Sequence, residues 1–313
     1  MPHQLVAEVV RSGLVESVHH GSVVVLRPDG SVAFAIGDVD VTMYPRSSNK
    51  PIQAAAMARL GLPFGGELLA LAAASHSGED FHLKGTQQIL AAADLDESAL
   101  QNTPGWPLDW LAKLAYIRRG NEKSSLADNC SGKHAAMLVT CTFNGWPTDS
   151  YRDPDHPLQR TIAATMAELA GEPVTHTGMD GCGAPLFALT LTGLARAFRA
   201  LALGEPGSPE RRVVDAFQVH PEWASGTTRD EARLIRGVPG LFGKAGAEGV
   251  YAVAMDDGSA VALKIADGHA RARPVLMAAA LRKLGLDYPV LEELGHAPVF
   301  GHGEPVGEVR AVI

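Results

Sequence analysis

Two Asp-Gly pairs, each set between runs of β-branched and small apolar residues, stand near opposite ends of the chain. They are Asp29-Gly30 in "VVVLRPDGSVAFAIG" and Asp257-Gly258 in "VYAVAMDDGSAVALKIADG". Such a pair supplies a side-chain acceptor and a permissive backbone for a tight reversal, so each predicts a β-hairpin. Neither hairpin buries an apolar face alone. The two can do so by joining in one sheet built from both ends of the chain.

Between them, apolar residues recur at three- and four-residue spacing in "IQAAAMARLG", "LKGTQQILAAADL", "KHAAMLVTCTF", "LQRTIAATMAELAG" and "APLFALTLTGLARAFRAL", each predicting a helix. A further helix, "RPVLMAAALRKLG", follows the second hairpin and ends at a glycine suited to capping. The Pro/Gly-rich "LGEPGSPERR" at 203–212 reads as a loop. The order predicts an α+β fold in a single domain over residues 1–313, with a sheet region at about 1–45 and 240–313 and a mainly helical region at about 46–239.

Composition narrows the partners. Apolar residues make up 46% of the 313 and charged residues 20%, with a formal net charge of -8, the profile of a folded soluble protein. An acidic balance argues against nucleic acid, whose binders concentrate lysine and arginine on one face. No uncharged apolar run reaches membrane-spanning length. The opening "MPHQLVAEVVRSG" lacks the basic leader and apolar stretch of a secretory signal, so a cytoplasmic location and a small-molecule partner are expected. Three cysteines, Cys130, Cys141 and Cys182, cannot all pair, leaving free thiols or metal ligands.

The candidate chemistry lies in the polar punctuation. In "RSSNKPIQ", Ser47 precedes Lys50 by three residues, which puts both on one face of a helical turn. A serine hydroxyl becomes a nucleophile only with a base in hydrogen-bond reach, and a lysine serves as that base only when desolvation or a cation such as Arg46 helps to keep it neutral. The same residues also read as the polar start of an ordinary helix. Pro51 biases Lys50 away from helical dihedrals, predicting an irregular turn.

Other clusters carry the same ambiguity. "ASHSGE" at 74–79 gathers Ser75, His76, Ser77 and Glu79, as a reactive group or as a capping turn. "DNCSGKHAAM" at 128–137 sets Cys130, Lys133 and His134 at a helix start, where outward N–H groups lower a thiol pKa. "GMDGCGAP" at 178–185 places Asp180 and Cys182 among glycines, for close backbone approach or merely a tight turn. "GKAGAEGVYAVAM" at 243–255 reads as a lysine and glycine loop feeding a strand.

An early Ser-x-x-Lys and a late Lys-x-Gly ahead of a strand resemble the layout of serine β-lactamases and penicillin-binding proteins, although their Ser-Asp-Asn element is absent. A fuller resemblance, from about residue 8 to 312, is to the rhizobial-type L-asparaginases, the asparaginase II or thermolabile family. It is carried by "VVRSGLVESVH" at 9–19, "RSSNKPIQ" at 46–53, "ASHSGEDFH" at 74–82, "NCSGKHAAM" at 129–137, "DPDHPLQ" at 153–159, "GMDGCGAP" at 178–185, "HPEWASGTTRDEARL" at 220–234 and "GKAGAEGVYA" at 243–252.

That resemblance implies a serine β-lactamase-like fold, a homodimer, and hydrolysis of L-asparagine to L-aspartate and ammonia. By motif position, Ser47 is similar to the family's nucleophile and Lys50 to its base. Ser77 and Lys264 are similar to its second serine and lysine. Cys130, Lys133 and Cys182 match a trio associated with zinc, for which a positioning role is expected because a lysine must lose its proton to bind metal. The zwitterionic substrate also needs a cation and an anion, for which Arg46, Glu79 and Asp180 are candidates, with His134 a further substrate-facing candidate. Asn49 and Trp223-Ala224 are mild departures that bear on fit or rate rather than reaction type.

Three other classes share parts of this pattern. A penicillin-recognising acylase would act on β-lactams and ignore asparagine. A non-catalytic amino-acid-binding protein would lose nothing on Ser47→Ala. A thiol or zinc hydrolase would fail on chelation or Cys130→Ala while Ser47→Ala kept turnover.

Overall fold

The computed structural model describes residues 3–313. Its strands are β1 (Gln4–Arg11), β2 (Leu14–Leu26), β3 (Val32–Ile36), β4 (Thr42–Met43), β5 (Thr177–Met179), β6 (Pro185–Phe187), β7 (Leu189–Thr190), β8 (Leu241–Ala245), β9 (Val250–Met255), β10 (Ala260–Ile265), β11 (Ala297–Gly301) and β12 (Glu304–Ala311). Its helices are α1 (Lys50–Arg59), α2 (Gly66–Ala72), α3 (Asp80–Ala91), α4 (Trp110–Arg118), α5 (Ser131–Phe143), α6 (Pro157–Ala170), α7 (Leu191–Ala202), α8 (Pro209–Val219), α9 (Pro221–Ala224), α10 (Asp230–Gly237), α11 (Arg273–Lys283) and α12 (Pro289–Gly295).

Both expected hairpins form, and by the same device. The Asp29 carboxylate accepts the N–H of Ser31 at 2.9 Å, and the Asp257 carboxylate accepts the N–H of Ser259 at 2.8 Å. The hairpins meet through antiparallel pairing of β2 with β10, Val24 opposite Ala262. The full sheet runs β11-β12-β1-β2-β10-β9-β8, with β3 also paired to β2. Residues of β8, β9 and β10 are buried almost without alternation, because helices cover the sheet; α7 and α11 both pack on β9 and β10. Phe198 of α7 stacks on Phe242 of β8 with centroids 5.1 Å apart.

The middle of the chain is the helical region. Helix α1 is buried on all sides from Lys50 to Ala58, and the small Ala54, Ala55 and Ala56 let α5, α6 and α8 pack closely around it. Two expectations need correction here. The stretch 184–201 is not one helix, since Pro185–Thr190 form β6 and β7 and only then does Thr190 cap α7 by accepting the N–H of Gly193. Likewise 203–212 is a loop only to Ser208, which caps α8 with Pro209 in its first turn. Among the described residues no helix is long and apolar enough to cross a membrane.

Candidate active site

Arg46–Asn49 form a 3₁₀ turn that runs directly into α1, with the Lys50 N–H bonded to the Ser47 carbonyl. In such a turn residues i and i+3 eclipse, so Ser47 and Lys50 share a face. Lys50 has helical dihedrals (φ -60°, ψ -35°), contrary to the expectation drawn from Pro51. The proline sits in the first turn, where its missing N–H loses no helical bond. The irregularity lies one residue ahead of Ser47, where Arg46 has φ +51°, an uncommon conformation for a side-chain-bearing residue. Its Nε bond to the Asp180 carboxylate, 2.9 Å, helps to hold it there.

Ser47 opens into a cleft of about 290 Å³ with Ser75, Leu108, Asn129 and the backbone-rich segment Ala245–Gly249. The end of β8 closes tightly on the serine. A Cβ on Gly246 would stand 2.7 Å from the Pro45 carbonyl and 3.2 Å from the Ser47 nitrogen, so only glycine fits.

Lys50 is buried, and its amino group donates to Ala74 O at 2.6 Å, Ser75 Oγ at 3.0 Å and Cys130 Sγ at 3.2 Å. The serine brought to this amine is therefore Ser75, not Ser77. Lysine touches the chain at 74–75, and two residues later the Ser77 N–H is bound to Ser225 O. The Ser77 hydroxyl has no partner among the described residues and packs against Gly226. Lys264 is also elsewhere: its amino group folds back onto the carbonyls of Glu248 and Ile265, at 2.6 and 2.7 Å, and lines a neighbouring recess with Tyr44 and Arg46.

The second buried lysine near Lys50 is Lys244, inside β8 rather than in a loop ahead of a strand. It donates to Glu231 Oε1 at 2.6 Å and Ala245 O at 2.9 Å, and neither member of the pair is accessible to solvent. Burial pulls its pKa down to about 8 against the opposing pull of Glu231, and the charges of Arg229 and Lys50 act in the same direction as burial. The Lys-x-Gly spacing was the sequence signal for this residue. Nothing comparable marks Glu231.

None of the four substrate-facing candidates lines the Ser47 cleft. Glu79 uses both carboxylate oxygens on Thr227, accepting its N–H at 2.9 Å and its hydroxyl at 2.6 Å, and so anchors the 226–229 loop. His134 is fully buried in α5, its Nδ1 2.7 Å from the Tyr151 hydroxyl, and burial pushes its pKa down to about 4. Arg46 and Asp180 pair with each other, and Arg46 lines the neighbouring recess instead of the Ser47 cleft.

Cys130 and Cys182 are buried together with Ala184 against the Lys50 side of the cleft. Cys182 is held far below an ordinary thiol pKa, first by a hydrogen bond from Cys130, with Lys133 and His134 adding to it against the penalty of burial. Cys130 is raised in turn by Cys182 and by burial. Burial alone would lower the pKa of Lys133, but the thiolate charge more than reverses this, and its amine donates to Cys182 Sγ at 3.2 Å. No group of three or more His, Cys, Asp or Glu suited to a metal exists among the described residues, so a metal here would require Lys133. On donor chemistry the trio fits zinc: two sulfurs and an amine converge, with the buried His134 ring against Cys182.

Among solved structures, the chain is similar to a β-lactamase from Mycobacterium bovis, at 15% identity over 85% of this chain and 95% of that one, with a TM-score of 0.45. It is also similar to EstCE1, described as a hydrolase with promiscuous acyltransferase activity, at 14% identity over 83% and 93% of the two chains, TM-score 0.43. No curated protein sequence matches the chain. A family model described as L-asparaginase II matches residues 7–311, nearly the whole length. The chain belongs to the L-asparaginase II family.

Proposed function

We propose that the protein hydrolyses L-asparagine to L-aspartate and ammonia through an acyl-enzyme on Ser47. The observation that carries this reading is the juxtaposition at one small cleft of Ser47, Ser75 and, immediately behind Ser75, the buried amine of Lys50. A nucleophile, a proton acceptor and a relay hydroxyl are what amide hydrolysis requires.

Ser47 Oγ attacks the side-chain carbonyl carbon while its proton passes to the Lys50 amine, directly or through Ser75. The oxyanion that forms is stabilised by backbone N–H groups, for which Ser47 and Ala247, both lining the cleft, are candidates. Lys50 returns the proton to the departing nitrogen, and ammonia leaves. Water then attacks the ester by the reverse relay, freeing aspartate and Ser47. Lys244, itself prone to lose its proton near pH 8, accompanies Lys50 as the second amine of the site. The substrate ammonium has Glu248 on the cleft wall.

Cys130, Lys133 and Cys182 would hold zinc, with both thiols and the amine deprotonated. When bound, the metal would supply a Lewis-acidic centre for orienting the substrate, its charge balanced by the two thiolates. The test of the function is ammonia release by the wild type and by Ser47→Ala. L-Asparagine should be turned over at least about tenfold faster than L-glutamine, whose extra methylene displaces the amide from a fixed nucleophile. Equal rates on the two amides would contradict the assignment.

A further inference from the structure

We propose that Arg229 and Arg273 together form a receptor for the α-carboxylate of the substrate, so that the cleft selects amides of free amino acids. This rests on the reading of Ser47 given above. Among the side chains lining the cleft, these two are the cations.

Each has unused donors. Arg229 directs Nε and one terminal nitrogen to Glu231 Oε2, at 3.0 and 2.8 Å, which leaves its other terminal nitrogen without a carboxylate. Arg273 is nine-tenths buried. It donates to Gly246 O at 3.2 Å and, at a long 3.4 Å, to Asp230, while its buried Nε has no partner among the described residues. The Gly246 contact places this guanidinium against the residue whose backbone closes on Ser47.

Charge balance points the same way. The cluster joins three cations, Lys244, Arg229 and Arg273, to two carboxylates, Asp230 and Glu231, leaving an excess of one positive charge when Lys244 is protonated. A buried excess charge is unfavourable, and one carboxylate from a ligand removes it. Arginine also presents a planar fork that matches a carboxylate in two-point contact. Arg46 is less suited, because Asp180 already neutralises it and it lines the adjoining recess.

The test compares L-asparagine with β-alaninamide, which is asparagine without its α-carboxylate, by ammonia release from the full-length protein. Wild type should prefer asparagine in kcat/KM by at least ~100-fold, since a site built for a polar group rejects the analogue lacking it. In Arg229→Gln that ratio should collapse to below about 5-fold through a raised KM for asparagine, and Arg229→Lys should restore part of it. If Arg229→Gln does not fold, judged by thermal unfolding, Arg273→Gln gives the same readout. Equal loss on both amides, or an unchanged ratio, overturns the receptor while leaving the amidohydrolase intact. No ammonia from asparagine with the wild type overturns the Ser47 reading and this inference with it.

Discussion

Lys50 donates to Ser75 Oγ at 3.0 Å although Ser47 lies three residues ahead of it in the same turn. The amine is thereby held by Ala74, Ser75 and Cys130, and Ser75, which lines the Ser47 cleft, is the hydroxyl proposed as its relay.

Ser75→Ala should therefore lower kcat for asparagine by ~100-fold or more, the range of a lost proton-transfer group. Ser77→Ala should stay within about tenfold, because its hydroxyl engages none of these groups. Ammonia release by the two variants distinguishes them, and the opposite order would return the relay to Ser77.

The layout was legible where chemistry is local. The two Asp-Gly turns, the helical spacing of α1 and the Ser47-x-x-Lys50 spacing each report their own structure. What failed depends on where distant segments cross. Ser75 and Ser77 look alike in sequence, and only the binding of Ser77 to Ser225 fixes which one faces Lys50. Lys264 and Lys244 both lie near strand ends, and strand pairing decides which points into the core. Arg46 and Asp180 were both foreseen as polar groups near the site, but their mutual pairing was not. The strand in Pro185–Phe187 was masked by an apolar run continuous with α7.

Stoichiometric zinc should co-purify with the protein and depend on Cys130, Lys133 and Cys182. Its loss should raise KM while lowering kcat less than about tenfold. Affinity should fall with pH, since protons compete for thiolates and amine. Metal analysis of wild type and Cys182→Ser checks this. A kcat near zero with unchanged KM after stripping would make the metal the chemical agent.

Glu231 is the carboxylate shared by Lys244 and Arg229. Glu231→Leu leaves both cations without it and should cost about 3–5 kcal/mol of stability. Lys244→Met should cost less, because Arg229 still neutralises Glu231. Urea unfolding of the two variants gives the order, and greater loss in Lys244→Met would contradict it.

His82 ties α3 to α9. Its Nδ1 accepts the N–H of Glu79 at 3.2 Å and its Nε2 donates to Glu222 O at 3.0 Å. Burial pushes its pKa from 6.5 down to about 4, and the ring must stay neutral to accept at Nδ1. Between those values the unfolded chain binds more protons than the folded one, so this contribution is intact above pH 6.5 and lost as pH falls toward 4. The loss amounts to about 3 kcal/mol at the lower end. His82→Gln, which can keep the capping contact, should flatten the dependence in urea melts between pH 7 and pH 4.5; an unchanged slope would assign the acid sensitivity elsewhere.

The central claim is that Ser47 is the nucleophile and Lys50 its proton acceptor, acting as one unit. The most direct measurement is kcat for ammonia release from L-asparagine by Ser47→Ala, Lys50→Met and the double variant, each confirmed as folded. The account predicts that each single change lowers kcat by more than ~1000-fold and that the double is little worse, because residues of one catalytic unit are non-additive. Turnover by Ser47→Ala within about tenfold of wild type, or losses that multiply in the double variant, would contradict it.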